Sequence, residues 1–202
     1  FIAISGPPSK TSGWTNSVGE DQVRIVDPAT GDVAPVGATG EIQTRGYSVM
    51  LGYWADDANT AEAIDADGYM HTGDLGTLDT EGFCNIVGRV KDMVIRGGEN
   101  VYPREVEEFL YRHPAVQTVQ VFGVPDAALG EELAAWIVLR ADHNPTAEDL
   151  RAFCKGQIAH FKIPRYVEFV DEVPMTVTGK AQKFRMRAAM IEKLGLVEVK
   201  TA

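Results

Sequence analysis

The stretch that decides the fold reads Gly88-Arg89-Val90-Lys91-Asp92-Met93-Val94-Ile95-Arg96-Gly97-Gly98-Glu99-Asn100-Val101-Tyr102-Pro103-Arg104. A charged link, residues 89–92, leads into an apolar triplet, a Gly-Gly turn and a helix that begins at Pro103. Glycine adopts backbone conformations closed to other residues and lets a ligand approach the main chain. Proline suits the first helical position because its missing N–H would have no partner there. Taken alone, the stretch fits either a binding loop or an ordinary hairpin turn before a helix.

Five further blocks surround this stretch. Three lie upstream, Gly40-Glu41-Ile42-Gln43-Thr44-Arg45-Gly46, Gly52-Tyr53-Trp54 and Gly68-Tyr69-Met70-His71-Thr72-Gly73-Asp74-Leu75, and two lie downstream, Phe161-Lys162-Ile163-Pro164-Arg165 and Pro174-Met175-Thr176-Val177-Thr178-Gly179-Lys180. In type and order the blocks resemble the AMP-forming acyl- and aryl-CoA synthetases. These enzymes belong to the adenylate-forming superfamily, together with luciferases and peptide-synthetase adenylation domains. The resemblance spans about residues 23–187. The Gly-Gly-Glu-Asn sequence before Pro103 is similar to the CoA ligases rather than to the peptide-synthetase domains.

Composition limits the possible functions. The chain has 202 residues, 45% of them apolar, which suits one domain or two small ones. Its formal charge of −10 argues against a nucleic-acid surface. No apolar run approaches the ~20 residues that cross a bilayer, so we expect no transmembrane segment. The two cysteines, Cys84 and Cys154, lack metal-ligand spacing, which predicts reduced, partly buried thiols in a cytoplasmic protein.

The beginning of the sequence predicts a piece of a longer chain, because it starts at Phe1 without an initiator Met or a signal peptide. Members of the acyl-CoA synthetase family that this chain resembles carry a phosphate-binding loop and a Thr-Glu pair associated with ATP and magnesium. Neither occurs here, and the segment Ser9-Lys10-Thr11-Ser12-Gly13 is too short and wrongly placed. The resemblance therefore implies that the N-terminal adenylation domain is a missing partner. We expect this piece alone not to catalyse adenylation.

Residue patterns predict an α+β fold. Residues 1–22 read as a loop. Strands are predicted at residues 23–26 and 40–45, a short helix at 56–64, and a hairpin over 77–87 that turns at Thr80-Glu81-Gly82. Residues 1–88 are thus β-rich, and the resemblance assigns them to the barrel-like end of the N-terminal domain. It assigns residues 89–92 to a hinge and residues 93–202 to a C-terminal lid.

The lid should bury a core of its own. Helices are predicted from Pro103 to Arg112, from Thr146 through Leu150, Phe153 and Ile158, and from Lys183 to Leu194. Thr146 is expected to cap its helix with Asp149 in place of the usual Glu. Strands are predicted at residues 116–124, 133–139 and 165–170, with a loop at 125–130.

Lys180 is the first candidate catalytic residue. It follows Gly179 in a loop between a strand and a helix, from which its ammonium could reach another domain. Joining a carboxylate to the α-phosphate of ATP brings two anions together, and a fixed cation eases their approach. A solvated surface lysine is the alternative for an isolated Gly-Lys. The motif is not a P-loop, since Pro174 and Ala181 occupy positions that require Gly and Ser or Thr. In the resembling family, the lysine of this motif is needed for adenylation.

The resemblance places the nucleotide at Asp74, Arg89 and Ile86. Asp74 is similar to an aspartate that accepts hydrogen bonds from both ribose hydroxyls, although an Asp beside Gly73 is also a common turn residue. Arg89 resembles an arginine that reaches the ribose or phosphate when the lid closes. Ile86 matches a position near the adenine, whereas its sequence pattern alone indicates a core strand residue. A calcium loop fails because Ala63 stands at the first ligand position, so no metal site is predicted.

The second set of candidates concerns CoA. Lys91 occupies the family's hinge position, around which the lid rotates between adenylation and thioester formation. Gly97, Gly98 and Glu99 would then enter the cleft and leave a narrow passage for the pantetheine arm. Lys162 is a candidate for CoA phosphates, with plain surface charge as the favoured alternative. His71 has no assigned role.

These residues predict part of an acid–thiol ligase. The complete enzyme would convert a carboxylic acid, expected to be a fatty acid, into acyl-CoA through an acyl-adenylate, using ATP, Mg²⁺ and CoA. Two alternatives stay open. One is an adenylating enzyme with a carrier-protein acceptor, and the other is a truncated, non-enzymatic interaction module.

Overall fold

The computed structural model describes residues 2–3, 16–18 and 21–197. The α+β class predicted from the sequence is confirmed. The chain divides into two compact units, residues 1–91 and 92–202, called here the first and the second unit. That the first unit ends a larger nucleotide-binding domain, that residues 89–92 are a hinge and that the second unit is a lid remain predictions.

The first unit is an antiparallel sheet with one short helix. Its strands are Ile2–Ala3 (β1), Asn16–Val18 (β2), Asp21–Val26 (β3), Gly40–Arg45 (β4), Met70–Leu78 (β5) and Phe83–Arg89 (β6), in the order β1-β6-β5-β4-β3-β2. Helix α1, Asp57–Ala63, begins after Asp56, whose carboxylate accepts the N–H of Asn59 at 3.1 Å. In the part of the chain that the structure describes, the edge strands do not pair with each other, so the expected barrel-like region is an open sheet.

The prediction of a loop over residues 1–22 is wrong in part. Strands β1, β2 and the start of β3 lie there, and β2 forms because Asn16 pairs with Val23 on β3. Pairing with a neighbouring strand outweighs the low β propensity of this segment. Residues 9–13, compared above with a phosphate loop, lie outside the described residues. The predicted hairpin of residues 77–87 is the closed end of a longer one, since β5 already begins at Met70.

The second unit contains the strands Val94–Arg96 (β7), Glu99–Val101 (β8), Val116–Asp126 (β9), Gly130–Leu139 (β10) and Tyr166–Phe169 (β11), and the helices Pro103–Leu110 (α2), Ala147–Cys154 (α3) and Lys183–Leu194 (α4). Short 3₁₀ helices occur at His160–Lys162 and, across the boundary between the units, at Val90–Asp92. Strand β10 lies antiparallel to β9 and parallel to β11, and it meets β7 at its first residue.

Both faces of the β9–β10 pair are buried. Leu133, Ala135 and Ile137 of β10 face the core shared with α2 and α3, whereas Ala134 packs on the opposite face with Met186 and Met190 of α4. Burial on both sides explains the unbroken apolar run of this strand.

Helix and loop bounds differ from the predictions in three places. Helix α2 ends at Leu110 rather than Arg112. Pro125, predicted to be in a loop, lies in β9, and its missing N–H is tolerated because β9 pairs with β10 along only one edge. Helix α3 has the predicted Thr146–Asp149 capping box but ends at Cys154, so Ile158 packs on the core from the segment that follows.

Side chains cover the outer edge of β9. The carboxylate of Glu107 on α2 accepts the N–H of Val121 at 2.8 Å. The Lys183 ammonium, at the start of α4, donates to the same carboxylate at 2.8 Å and to the carbonyl of Val121 at 2.9 Å. An edge strand with free N–H and C=O groups can pair with other chains. These contacts protect the edge, and they fix α2 and α4 relative to the sheet.

Candidate active site

A bulge in β5 presents Asp74. Strand β4 pairs with β5 so that Glu41 lies opposite Leu75 and Gln43 lies opposite His71, which leaves residues 72–74 opposite the single residue Ile42. Gly73 has φ of 70°, a left-handed conformation that favours glycine. Bulges redirect side chains and are common beside active sites. The Thr-Gly-Asp sequence is therefore the local cause of the exposed placement of Asp74.

Two side chains hold the bulge in place. The Thr72 hydroxyl donates to the carbonyl of Ile42 at 2.6 Å and accepts the N–H of Asp74 at 3.1 Å. The buried carboxylate of Glu41 accepts the N–H of Gly73 at 3.1 Å. Sequence reasoning did not single out Glu41 or Thr72. Only the register of β4 against β5 brings them to the bulge.

Asp74 and Arg89 lie directly opposite each other on β5 and β6. Arg89 Nε lies 3.1 Å from Asp74 Oδ1, with side chains 62% and 34% exposed. Ile86, on the same strand as Arg89, is also exposed, so its interpretation as a core residue is wrong. The structure thus brings the three predicted nucleotide residues to adjacent strands, with their side chains accessible.

The Gly97-Gly98 pair forms the two-residue turn between β7 and β8, in which Arg96 pairs with Glu99. Both glycines have positive φ, 60° and 87°, as a tight hairpin turn of this kind requires. The Gly97 N–H donates to the carbonyl of Leu129 at 2.9 Å. A Cβ on Gly97 would lie 3.1 Å from Leu129 Cδ2, whereas a Cβ on Gly98 would have no neighbour within 4 Å. The turn is therefore fixed on the Gly97 side and open on the Gly98 side, with Glu99 exposed after it.

A buried ion pair supports the base of this turn. Glu132 on β10 is 1% exposed, and its Oε2 accepts Arg96 Nη2 at 2.8 Å. Arg96 Nε lies 2.5 Å from the other carboxylate oxygen without the alignment of a hydrogen bond. Arg165 Nη1 lies 3.3 Å from Asp126 Oδ2. The N–H groups of Ala128 and Leu129, followed by the charges of Arg165 and Arg96, lower the pKa of Asp126. No local sequence pattern predicts the Arg96–Glu132 pair, because the two residues are far apart in the chain.

Lys180 lies in a tight loop before α4. The Gly179 N–H donates to the carbonyl of Thr176 at 2.9 Å, and the Lys180 N–H donates to the Thr176 hydroxyl at 3.0 Å. Gly179 has φ of 79°, and Val173 and Ala181 anchor the loop on the α4 side of the sheet. Among the residues that the structure describes, no carboxylate pairs with the exposed ammonium of Lys180.

Lys162 has a structural partner. Its ammonium lies 2.6 Å and 2.8 Å from the two carboxylate oxygens of Glu105, in the first turn of α2. A role with CoA phosphates would require this pair to open, so the favoured alternative of a surface charge gains support. Phe161 packs on the α2 side of the sheet, opposite the loop of Lys180. Lys91 is exposed within the 3₁₀ helix at the unit boundary, consistent with a polar hinge.

Comparison with known proteins shows what this chain is similar to. Residues 105–180 match the profile of the AMP-binding enzyme C-terminal domain. The mitochondrial medium-chain acyl-CoA ligase ACSF2 of Bos taurus is 52% identical over 175 residues, which are 87% of this chain and 28% of the ligase. Residues 105–180 thus carry the AMP-binding enzyme C-terminal domain, and most of this chain is similar to a part of an acyl-CoA ligase.

Solved structures of adenylate-forming enzymes share this fold. ATP-bound MatB from Rhodopseudomonas palustris superposes with a TM-score of 0.81 and 36% identity, over 88% of this chain and 35% of MatB. The amide bond synthetase McbA from Marinactinospora thermotolerans superposes with a TM-score of 0.79 and 36% identity, over 89% of this chain and 36% of McbA. The chain thus spans about a third of the length of the acyl-CoA synthetases and related enzymes that it matches. No helix in the described residues is long and apolar enough to cross a membrane.

Proposed function

We propose that this chain is part of a longer AMP-forming acyl-CoA synthetase and supplies its ribose-binding strand pair and its mobile lid. The longer enzyme activates a carboxylic acid with ATP to an acyl-adenylate and pyrophosphate, and then transfers the acyl group to the CoA thiol with release of AMP. The observation that carries the proposal is the bulge that presents Asp74 opposite Arg89, in a chain whose relatives are acyl-CoA synthetases. A fatty acid is the proposed substrate because the ACSF2 relative is named a medium-chain ligase.

In the first half-reaction, the ATP ribose binds at the first unit. The Asp74 carboxylate accepts hydrogen bonds from the vicinal hydroxyls, and Arg89 holds that carboxylate in place or contacts the nucleotide itself. Lys180 brings its ammonium to the carboxylate and the α-phosphate, where charge accumulates in the transition state. Its lack of a carboxylate partner among the described residues supports this role, because no ion pair has to break first. Mg²⁺ accompanies the ATP as part of the substrate.

In the second half-reaction, the second unit rotates around Lys91 and presents another surface. The β7–β8 turn then lines the passage of the pantetheine arm, with Gly98 as its open position. Lys180 and Lys162 leave the second unit on opposite sides of its sheet, which supports separate surfaces for the two steps.

The proposal is tested by exchange of pyrophosphate into ATP. We expect the longer enzyme to catalyse exchange that depends on a fatty acid, and the 202-residue chain to catalyse none, because the sequence contains no phosphate-binding loop. Acid-dependent exchange by the isolated chain would show that the proposed division of labour is wrong. Absence of exchange by the longer enzyme with every carboxylic acid tested would remove the proposed activity.

A different acyl acceptor is the second candidate function. The similarity to McbA, named an amide bond synthetase, favours an amine, and a carrier-protein thiol is the other acceptor that the sequence left open. Competition among CoA, a carrier protein and an amine for one preformed acyl-adenylate distinguishes these acceptors. Exclusive use of CoA supports the main proposal. Failure of all three acceptors would favour a non-enzymatic interaction module. A cytoplasmic location stays a prediction, since the ACSF2 relative is named mitochondrial.

A further inference from the structure

We infer that Glu41 is a positioning residue for the nucleotide: its buried carboxylate holds the residue 72–74 bulge so that Asp74 meets the ribose. This inference rests on the proposed role of Asp74. Glu41 does not itself contact the ligand. It acts through the main chain of Gly73, one residue before the acceptor carboxylate.

The carboxylate of Glu41 connects three donors. Oε1 accepts the Gly73 N–H at 3.1 Å, and Oε2 lies 2.8 Å from His71 Nδ1 and 3.1 Å from Gln43 Nε2. Because a carboxylate only accepts hydrogen bonds, the contact with Glu41 requires the tautomer of His71 that carries the proton on Nδ1, an atom that also lies 3.0 Å from Gln43 Nε2. His71 directly precedes the bulge and Gly73 is its middle residue, so one carboxylate holds the bulge and the residue before it.

The other side of the network is held by contacts with Arg24 and Gln43. Gln43 is 2% exposed, and its side-chain oxygen accepts Arg24 Nε at 2.8 Å. Arg24 in turn pairs with Asp65 at 2.7 Å and lies over the ring of Tyr69, 3.7 Å from its centroid. Hydrogen-bonded networks that satisfy every buried group restrict motion. Glu41 is therefore anchored to β3 and β4, and it transmits that anchoring to Gly73.

The geometry also explains why a carboxylate is needed. A glutamine at position 41 has one acceptor oxygen and one N–H₂ group, so while His71 Nδ1 carries its proton, either orientation places a donor against the Gly73 N–H or against the His71 and Gln43 donors. Leaving a buried donor without an acceptor is costly. The bulge would then relax, and the Asp74 carboxylate would no longer be held at the ribose.

The test uses nucleotide selectivity in the longer enzyme. The ratio of kcat/KM for ATP to that for 2′-deoxy-ATP reports the contact with a ribose hydroxyl. We expect Glu41→Gln to lower this ratio about tenfold, as for loss of one hydrogen bond to a charged group, with the KM for CoA unchanged. Glu62→Gln, an exposed carboxylate on α1, is the matched control and should keep the wild-type ratio. In the 202-residue chain, hydrogen exchange of the Gly73 amide should accelerate in Glu41→Gln alone.

The outcomes separate this inference from the proposed function. If Asp74→Ala keeps the wild-type ratio, the ribose contact is wrong and Glu41 loses its role with it. If Asp74→Ala lowers the ATP to 2′-deoxy-ATP ratio but Glu41→Gln leaves it at the wild-type value, the positioning role of Glu41 alone is overturned. An unchanged rate of hydrogen exchange at the Gly73 amide in Glu41→Gln also overturns the positioning role. If Glu41→Gln fails to fold, Thr72→Val takes its place, because it removes the other side-chain contact to the bulge. The nucleotide selectivity ratio and the hydrogen exchange of the Gly73 amide then decide whether the bulge positions Asp74.

Discussion

Asp74 and Arg89 face each other across β5 and β6 with an Oδ1–Nε distance of 3.1 Å. Each side chain is substantially exposed, so solvent screens their attraction. Ion pairs of this kind contribute between about 0 and 1 kcal/mol to stability. Such a weak contribution does not by itself explain why a bulge is built to present the pair. The ligand contact proposed above would explain it.

Removal of this pair should affect ATP use far more than stability. For Arg89→Ala, we expect a change below about 1 kcal/mol in the free energy of unfolding of the 202-residue chain. In the longer enzyme, the KM for ATP should rise about tenfold, the loss expected for a charge-assisted contact. Urea unfolding and steady-state kinetics measure the two effects. Arg104→Ala removes a comparable exposed pair, Arg104–Glu108, and should leave the KM unchanged. Equal KM values for both variants would contradict the role of Arg89.

The ammonium of Lys180 should matter for one half-reaction only. Lys180→Ala is expected to slow acid-dependent pyrophosphate exchange by about 10²–10³-fold, the range for loss of one stabilising group in a transition state. Thioester formation from supplied acyl-adenylate should persist. Lys155→Ala removes another exposed lysine of the second unit and should change neither step. Equal loss of both steps in Lys180→Ala would count against the assignment, and unchanged melting of the variant excludes a folding defect.

The Arg96–Glu132 pair should be essential to the stability of the second unit. Glu132→Ala leaves Arg96 charged and only 13% exposed, which is expected to cost about 3–5 kcal/mol. Urea unfolding of the 202-residue chain measures this loss. Glu148→Ala, which removes an exposed partner of Arg151, should cost less than about 1 kcal/mol. The double substitution Arg96→Met with Glu132→Leu should recover most of the stability, because two apolar side chains leave no buried charge. A small effect of Glu132→Ala would show that the pair is hydrated.

Local patterns predicted the elements of the second unit well. Pro103 predicts the start of α2, Thr146 and Asp149 predict the start of α3, and the apolar run of residues 133–139 predicts a buried strand. Each of these signals depends on neighbours within a few positions in the chain. A strand that is buried on both faces is apolar along its whole length. Its apolar run can therefore be recognised without knowing which strands pair with it. The resemblance to the acyl-CoA synthetases supplied the family, which periodicity and spacing alone did not.

Register and long-range pairing could not be predicted in the same way. The bulge at residues 72–74 depends on how β4 aligns with β5, and Glu41 lies beside Gly73 only as a result. The strand pattern alone indicates a core position for the exposed Ile86, because such a pattern does not tell which face the rest of the fold covers. Pro125 fits in β9 because no other strand pairs with β9 along its outer edge in the described residues. In each case the sequence pattern lacks the same information, namely which other part of the chain lies beside the residue in the fold.

Asp126 should make the stability of the second unit depend on pH in the acid range. Hydrogen bonds from the Ala128 and Leu129 N–H groups, with Arg165 nearby, lower its pKa from the ordinary value of 3.8. A carboxyl whose pKa is lower in the folded state stabilises the fold above its unfolded pKa, and this stabilisation fades as the pH falls through the folded value. The difference in free energy of unfolding between wild type and Asp126→Asn should therefore be equal at pH 7 and 5. It should shrink below about pH 4, which urea unfolding at several pH values measures.

Gly98 and Gly156 allow the proposed CoA passage to be tested against a matched position. Both have positive φ, 87° and 77°, and a Cβ on either would meet no atom within 4 Å. A bulky residue at either position costs a similar ~1–2 kcal/mol of backbone strain. Gly98→Trp, however, would block the space in front of the β7–β8 turn. We expect it to abolish thioester formation in the longer enzyme while pyrophosphate exchange continues, and Gly156→Trp to preserve both steps. Normal CoA turnover in Gly98→Trp would remove Gly98 from the site, because strain alone is common to both variants.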